Sequence, residues 1–131
     1  MDNGELKITG TVLTQHFGVD LSELQRQVRV WEDHNFPHAD ALQQLLGVGE
    51  EFGELCHFVL KEMQGIREAV DSVGKKVSTE AHQMDAVGDI TIFLINFCNK
   101  RGWSFDRILA DVWAEVSARD FVKYPKNGRT D

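Results

Sequence analysis

Five acidic residues in this 131-residue chain are spaced in a way that suits chemistry better than solvation. Glu50, Glu51 and Glu54 fall on one helical stretch, and Asp85 and Asp89 lie four residues apart on another. With each helical residue turned about 100° from the last, the three glutamates share the side opposite an apolar stripe. That stripe consists of Leu42, Leu45, Leu46, Gly49, Phe52, Cys56, Val59, Leu60 and Met63. A solvated face is the plain explanation for such acids. Gly47, Phe58 and Gly65 occupy the same side, however, and they suit a close neighbour better than water. Asp89 adjoins the apolar run that starts at Ile90, where an uncompensated charge is costly. Basic side chains are scarce nearby: between Leu45 and Asn99 there are only Lys61, Arg67, Lys75, Lys76 and the histidines His57 and His82. Carboxylates that converge from two helices without counter-charges form a donor set for a hard divalent cation. Oxygen-only ligation favours Mg²⁺ or Mn²⁺ over zinc.

The elements that must position these acids can be read from periodicity. Leu21, Leu24, Val28 and Trp31 recur at three and four residues behind Asp20 or Ser22 as a cap, which predicts a first helix ending near Pro37. The apolar stripe predicts a second helix from near Ala39 to Met63. Residues Val70 to Ser78 break the period and are expected to form a loop carrying Lys75 and Lys76, with Ser78 or Thr79 capping the next helix. That third helix is expected from about Glu80 to Lys100, closed by Arg101 and Gly102. Its centre, from Ile90 to Cys98, is apolar on every side, so burial on every side is expected. A fourth helix starts after Ser104, with Ile108, Leu109, Val112, Trp113 and Val116 expected inward, and fades at Tyr124 and Pro125. Nothing alternates with period two for long enough to build a sheet. The expected fold is therefore all-α, a four-helix bundle over residues 21–125. A loose arm is expected over residues 1–20, with a short strand conceivable at Ile8 to Leu13, and a polar tail over 126–131.

Composition narrows the function classes. The chain is 42% hydrophobic and 27% charged, with a formal net charge of -7. A chain this acidic is poorly suited to gripping a nucleic-acid polymer, because such binding depends on Lys and Arg displacing counterions. It can still handle a nucleotide if a metal ion supplies the positive charge. No basic and apolar leader opens the sequence and no membrane-length apolar run occurs, so no membrane partner is expected and the expected compartment is the cytoplasm. Cys56 and Cys98 lie in apolar helical stretches and are read as two reduced, buried thiols. Trp103 and Trp113 are read as packing residues, and none of His16, His34, His38, His57 and His82 is given a catalytic role.

The segment from Gly49 to Leu55 (GEEFGEL), with Asp85 to Ile90 (DAVGDI) after it, resembles the EExxE and ExxD signature of the all-α nucleoside triphosphate pyrophosphohydrolases, the MazG-like superfamily. Arg119 to Pro125 (RDFVKYP) is similar to the Asn-x-x-Lys/Arg-Tyr-Pro ending of the dCTP-pyrophosphatase-like members. The resemblance runs from about Trp31 to Pro125. Two positions depart from it: Ala86 stands where the first acid of ExxD belongs, and Asp120 stands for the asparagine.

The resemblance implies a Mg²⁺-dependent hydrolysis of a nucleoside triphosphate to the monophosphate and pyrophosphate, with water attacking the α-phosphorus. It implies Glu51, Glu54 and Asp89 as metal ligands, with Asp85 taking over from position 86, since residues four apart share a face as residues three apart do. Glu50 then binds a further metal or joins Glu51 as a catalytic base. Arg119, Lys123 and the Lys75/Lys76 loop are candidates for the phosphates, with Asp120 and Tyr124 as further substrate-binding residues. Trp31 and Phe36 are candidates to stack on a base, and Asn35 or Asn96 to read its edge. A homodimer or homotetramer is expected as well, because a helix apolar on all sides has more surface than three neighbours cover in a chain of this size. Two other readings compete. Glu54-x-x-His57 matches one half of a ferritin-like di-metal motif, but no second half exists. A helical interaction or regulatory module that has lost activity is the other, and Ala86 is the residue that favours it.

Overall fold

In a computed structural model of the chain, which describes residues 18–130, the architecture is mostly helical with one small two-stranded sheet. The expected arm over residues 1–20 lies almost wholly outside the described residues.

Local chemistry accounts for the start of three of the four helices. Helix α1 (Leu21–Asn35) begins where the Asp20 carboxylate accepts the Glu23 backbone N–H at 3.0 Å. Helix α2 (Ala41–Met63) begins at a capping box. The Asp40 side chain accepts from Gln43 N at 2.9 Å, and the Gln43 side chain accepts from Asp40 N at 2.8 Å. Helix α3 (Thr79–Arg101) is capped by Ser78 and closed by Gly102 in the left-handed region at φ 70°, a conformation that glycine adopts without strain. Helix α4 (Phe105–Ser117) comes after the short link through Ser104.

The segment expected to be a loop is instead an antiparallel hairpin. Strand β1 (Glu68–Val70) pairs with β2 (Lys76–Ser78) in the register Glu68↔Ser78, Ala69↔Val77 and Val70↔Lys76. Three residues per strand are too few for alternation to show in sequence. What makes the turn is the Asp71 carboxylate, which accepts from the backbone of Val73 and Lys75 at 3.0 and 2.8 Å, together with Gly74 at φ 83°. Thr79 and His82 tie the hairpin to α3 by bonding the carbonyls of Arg67 and Ala69.

Helices α2 and α3 form the principal packing, antiparallel, as the pairings of Gly47 with Phe93 and of Phe58 with His82 require. A Cβ on Gly47 would fall inside the Phe93 ring, so the missing side chain is what lets the helices approach. At the other end the Phe58 and His82 rings stack at 4.2 Å. Helix α1 lies on α3 through the core of Val28, Ile95, Cys98 and Phe105, with Leu21 and Leu24 packed against it. Helix α4 packs mainly against α1.

Several burial expectations fail. The α2 stripe, including Leu42, Leu46, Phe52, Leu60 and Met63, faces outward and is 40–80% exposed at its large residues, because the acidic side of α2 is the one that meets α3. Cys56 rides on that stripe and is exposed, while Cys98 is buried as expected. The α4 residues Ile108, Leu109, Val112, Trp113 and Val116 are likewise exposed. In α3, Ile95 and Cys98 are buried, but Ile92 and Leu94 are not. Four helices are present, but within one chain they do not close into a bundle, since α2 meets α3 on one side alone. No helix among the described residues is long and apolar enough to cross a membrane.

The Gly47 contact sets a test of the packing. Gly47→Val should lower the unfolding free energy by about 1–3 kcal/mol in urea titrations, the cost of overpacking. Gly49→Ala, where a Cβ meets nothing within 4 Å, should leave it unchanged or raise it by about 0.5–1 kcal/mol. The reverse order would show that the helix approach is set elsewhere.

Candidate functional site

The seam between α2 and α3 is built from residues at helical spacing on the acidic side of α2: Gln44, Gly47, Glu51, Leu55 and Phe58. Its ends are packed by aromatic rings, and its middle holds charge. Glu51 is partly buried there, and its Oε2 is buried with no hydrogen-bond partner among the described residues. The Glu51 carboxyl is pushed up to about 7, first by loss of solvent, then by the charges of Glu54 and Asp89, a hydrogen bond with Glu54, and the charge of Glu50. Asp89 is pushed upward as well, by burial first, then by the charge of Asp85, a hydrogen bond with it, and the charge of Glu54. All five acids singled out in the sequence therefore belong to one electrostatic cluster drawn from two helices. No cation among the described residues relieves it: their ion pairs join Glu23 to Arg26, Asp33 to Lys100, and Glu115 to Arg119 and Arg129.

Among the described residues no three of these side chains are gathered closely enough to ligate one ion as they stand. The orphaned Glu51 oxygen and the mutual repulsion are the observations that fit a cation here, because a hard divalent ion satisfies the one and cancels the other. Position 86 lies within the packed interior, where Ala86 is 2% exposed, whereas Asp85 beside it is exposed.

A cavity of about 690 Å³ opens beside the cluster, between the end of α1, the link to α2, and the Asp89 to Asn96 face of α3. Asp89 belongs to both cluster and cavity. Trp31 and Phe36 form one wall, edge to face with centroids 5.8 Å apart. Trp31, Asn35, Phe36 and Asn96, the candidates for contacts with a base, all line the cavity, although Asn35 donates its side-chain amide to the Trp31 carbonyl at 2.9 Å.

Two residues of this cavity were not expected from the sequence. Glu32 is 7% exposed and Gln44 3% exposed, and the Gln44 Nε2 donates to the Glu32 Oε1 at 2.8 Å. A signal for Glu32 did exist: Leu21, Leu24, Val28 and Glu32 continue the helical period, with a charge where an apolar residue would be expected.

The other candidate substrate-binding residues lie elsewhere. Lys75 and Lys76 sit in the hairpin, at the opposite end of the α2–α3 pair from the cavity. Beyond α4, Arg119 pairs with Glu115 at 3.6 Å and Lys123 lies over the Tyr124 ring at 5.2 Å. Asp120 caps its own turn by accepting from Val122 and Lys123 N–H groups. None of these six lines the cavity. No family model, no curated protein and no solved structure matches this chain.

The cluster predicts a pH dependence. The folded chain keeps the Glu51 proton up to about 7, while an unfolded chain releases it near 4.5. The folded state therefore binds the extra proton in that window, and its stability falls as pH rises through it. In chelator-containing buffer, the melting temperature should fall from about pH 5 to about pH 8. Glu51→Gln should flatten that fall and be the more stable form at the upper end. A Glu51→Gln protein that melts earlier throughout would show that the carboxylate is stabilised by the fold instead of strained by it.

Proposed function

We propose that this chain is a Mg²⁺-dependent nucleoside triphosphate pyrophosphohydrolase of the MazG-like kind. The observation that carries the reading is the sharing of Asp89 between an uncompensated acidic cluster and an aromatic-walled cavity. A triphosphate has a planar apolar end and a highly anionic one, and these two adjoining environments suit those two ends.

Glu51, Glu54 and Asp89, with Asp85 as the fourth acid, are the residues that would hold Mg²⁺ or Mn²⁺. When bound there, the ion supplies positive charge to the phosphate chain and acidity to the attacking water. The chain's own residues do the rest. Trp31 and Phe36 hold the base so that the phosphates extend past Asp89 towards the seam. The water oxygen bonds to the α-phosphorus and the bridge to the β-phosphate breaks, releasing monophosphate and pyrophosphate. The water proton passes to a carboxylate, for which exposed Glu50 and partly buried Glu51 are the candidates.

In the same reading the protomer assembles with a second copy. The exposed stripe of α2 and the exposed apolar side of α4 are the surfaces that a dimer or tetramer would bury. Assembly would close the helices into a bundle. It would also offer a neighbour's Arg119, Lys123 and Tyr124 as the phosphate contacts that one protomer does not place at its own cavity.

Pyrophosphate release from a panel of ribo- and deoxyribonucleoside triphosphates, with and without Mg²⁺, tests the reaction. Turnover should require the metal, and Glu54→Gln or Asp89→Asn should remove it while the helical circular dichroism is retained. Release from no nucleotide with either metal would overturn the reading. Asp85→Asn should raise the magnesium concentration needed for half-maximal turnover, and an unchanged requirement would leave three ligands sufficient.

Light scattering tests the assembly. A mass of at least twice the 14.9 kDa chain is expected. A mass near one chain would refute both the oligomer and any shared site.

A further inference from the structure

We infer that the cavity selects a nucleobase edge that pairs an exocyclic amine with an adjacent ring-nitrogen acceptor, the edge of cytosine or adenine, and that Glu32 is the specificity-determining residue. The inference rests on the nucleotide reading of the cavity, though not on turnover. Glu32 and Asn96 both line the cavity, and both are more than nine-tenths buried, at 7% and 2% exposure.

The hydrogen-bonding polarity of each is fixed by its neighbours. One Glu32 oxygen accepts the Gln44 amide at 2.8 Å. The other takes no hydrogen bond among the described residues, and the side chain borders the cavity. Among the described residues it is an acceptor without a donor, and a carboxylate in such a place asks for an N–H.

A backbone relay fixes Asn96. The Phe105 N–H donates to the Gln25 Oε1 at 2.9 Å, and the Gln25 Nε2 donates to the Trp103 carbonyl at 2.8 Å, so the Gln25 amide has one orientation. The same Nε2 donates to the Asn99 Oδ1 at 3.0 Å, which turns the Asn99 Nδ2 towards the Asn96 Oδ1 at 3.3 Å. With its oxygen engaged, Asn96, which lines the cavity, has its N–H₂ group left to donate, and no acceptor for it occurs among the described residues.

The cavity thus offers an acceptor from Glu32 and a donor from Asn96, between walls that include Trp31 and Phe36. Cytosine and adenine present the complement, an amine beside an unprotonated ring nitrogen. Uracil and hypoxanthine present a carbonyl beside a ring N–H, and their carbonyl would face the Glu32 carboxylate. A site built around buried polar groups rejects such a reversed partner strongly, because the groups are left unpaired.

Matched nucleosides isolate this contrast without phosphates or metal. Binding of cytidine against uridine, and of adenosine against inosine, is read by Trp fluorescence and saturation-transfer NMR in chelator-containing buffer. The amine-bearing member of each pair should bind at least about tenfold more tightly. In Glu32→Gln the new side-chain oxygen can keep the Gln44 bond and turn its N–H₂ towards the cavity, so the preference should fall to parity or reverse.

Equal binding within both wild-type pairs, or binding of none of the four nucleosides, overturns the inference whether or not the variant folds. A tenfold preference that survives in a folded Glu32→Gln protein also overturns it. Amine preference with no triphosphate turnover would refute the hydrolase and keep this inference. Turnover without amine preference would do the opposite.

Discussion

The structure depends on how closely α2 and α3 approach, because that distance forces a set of like charges into one another's field. Gly47 against Phe93 fixes the separation at one end, and the stack of Phe58 on His82 fixes it at the other. Between these two contacts Glu51 faces Asp89 with a buried, unpartnered oxygen. Separating the helices would relieve the repulsion, but it would strip both aromatic contacts. Packing therefore holds the acids in a state they would not choose, and the raised Glu51 and Asp89 carboxyls report that conflict.

The same approach creates the cavity. Helix α1 reaches over the N-terminal end of α2 through the bond from Gln44 to Glu32, and Phe36 and Pro37 turn the chain around the opening. Because Asp89 lies one helical turn before Phe93, the contact that spaces the helices also places an acid at the cavity wall. The polar floor is organised from further away. Gln25, clamped by the backbone around Trp103 and Phe105, orients Asn99 and through it Asn96. The short link from α3 to α4 thus decides which hydrogen-bonding group the cavity presents.

Helix α2 has two faces that both ask for partners, one carrying acids among small and aromatic residues and one continuously apolar. A single chain supplies α3 for the first and nothing for the second. The outcome is physically reasonable, since α3 brings the Phe93 ring to Gly47 and the His82 ring to Phe58 on the mixed face, whereas apolar surface is non-directional and can be covered by any apolar partner. Helix α4 is left in the same condition, resting mainly on α1 with its apolar side open.

The helices and most of their ends were legible in the sequence because they are set locally, whereas α4, expected to fade at Tyr124 and Pro125, ends at Ser117. Asp20, Asp40, Ser78 and Gly102 act within three or four residues of themselves, and periodicity reports a helix wherever it is folded. The acidic cluster was legible too, since Glu50, Glu51 and Glu54 share a face with Gly47 and Phe58, and such a face needs a neighbour. The hairpin was not, because its strands are shorter than any period they could show. Nor were the exposed stripe of α2, the exposed Cys56, or the places of Glu32 and Gln44 in the cavity. Each depends on which neighbour covers which face. By itself the sequence determined the helical elements and the acids they carry, through short-range hydrogen bonding and backbone sterics. Only the tertiary structure decided that the charged side of α2 turns inward and the apolar side outward, because that choice is made by contacts between residues far apart in the chain.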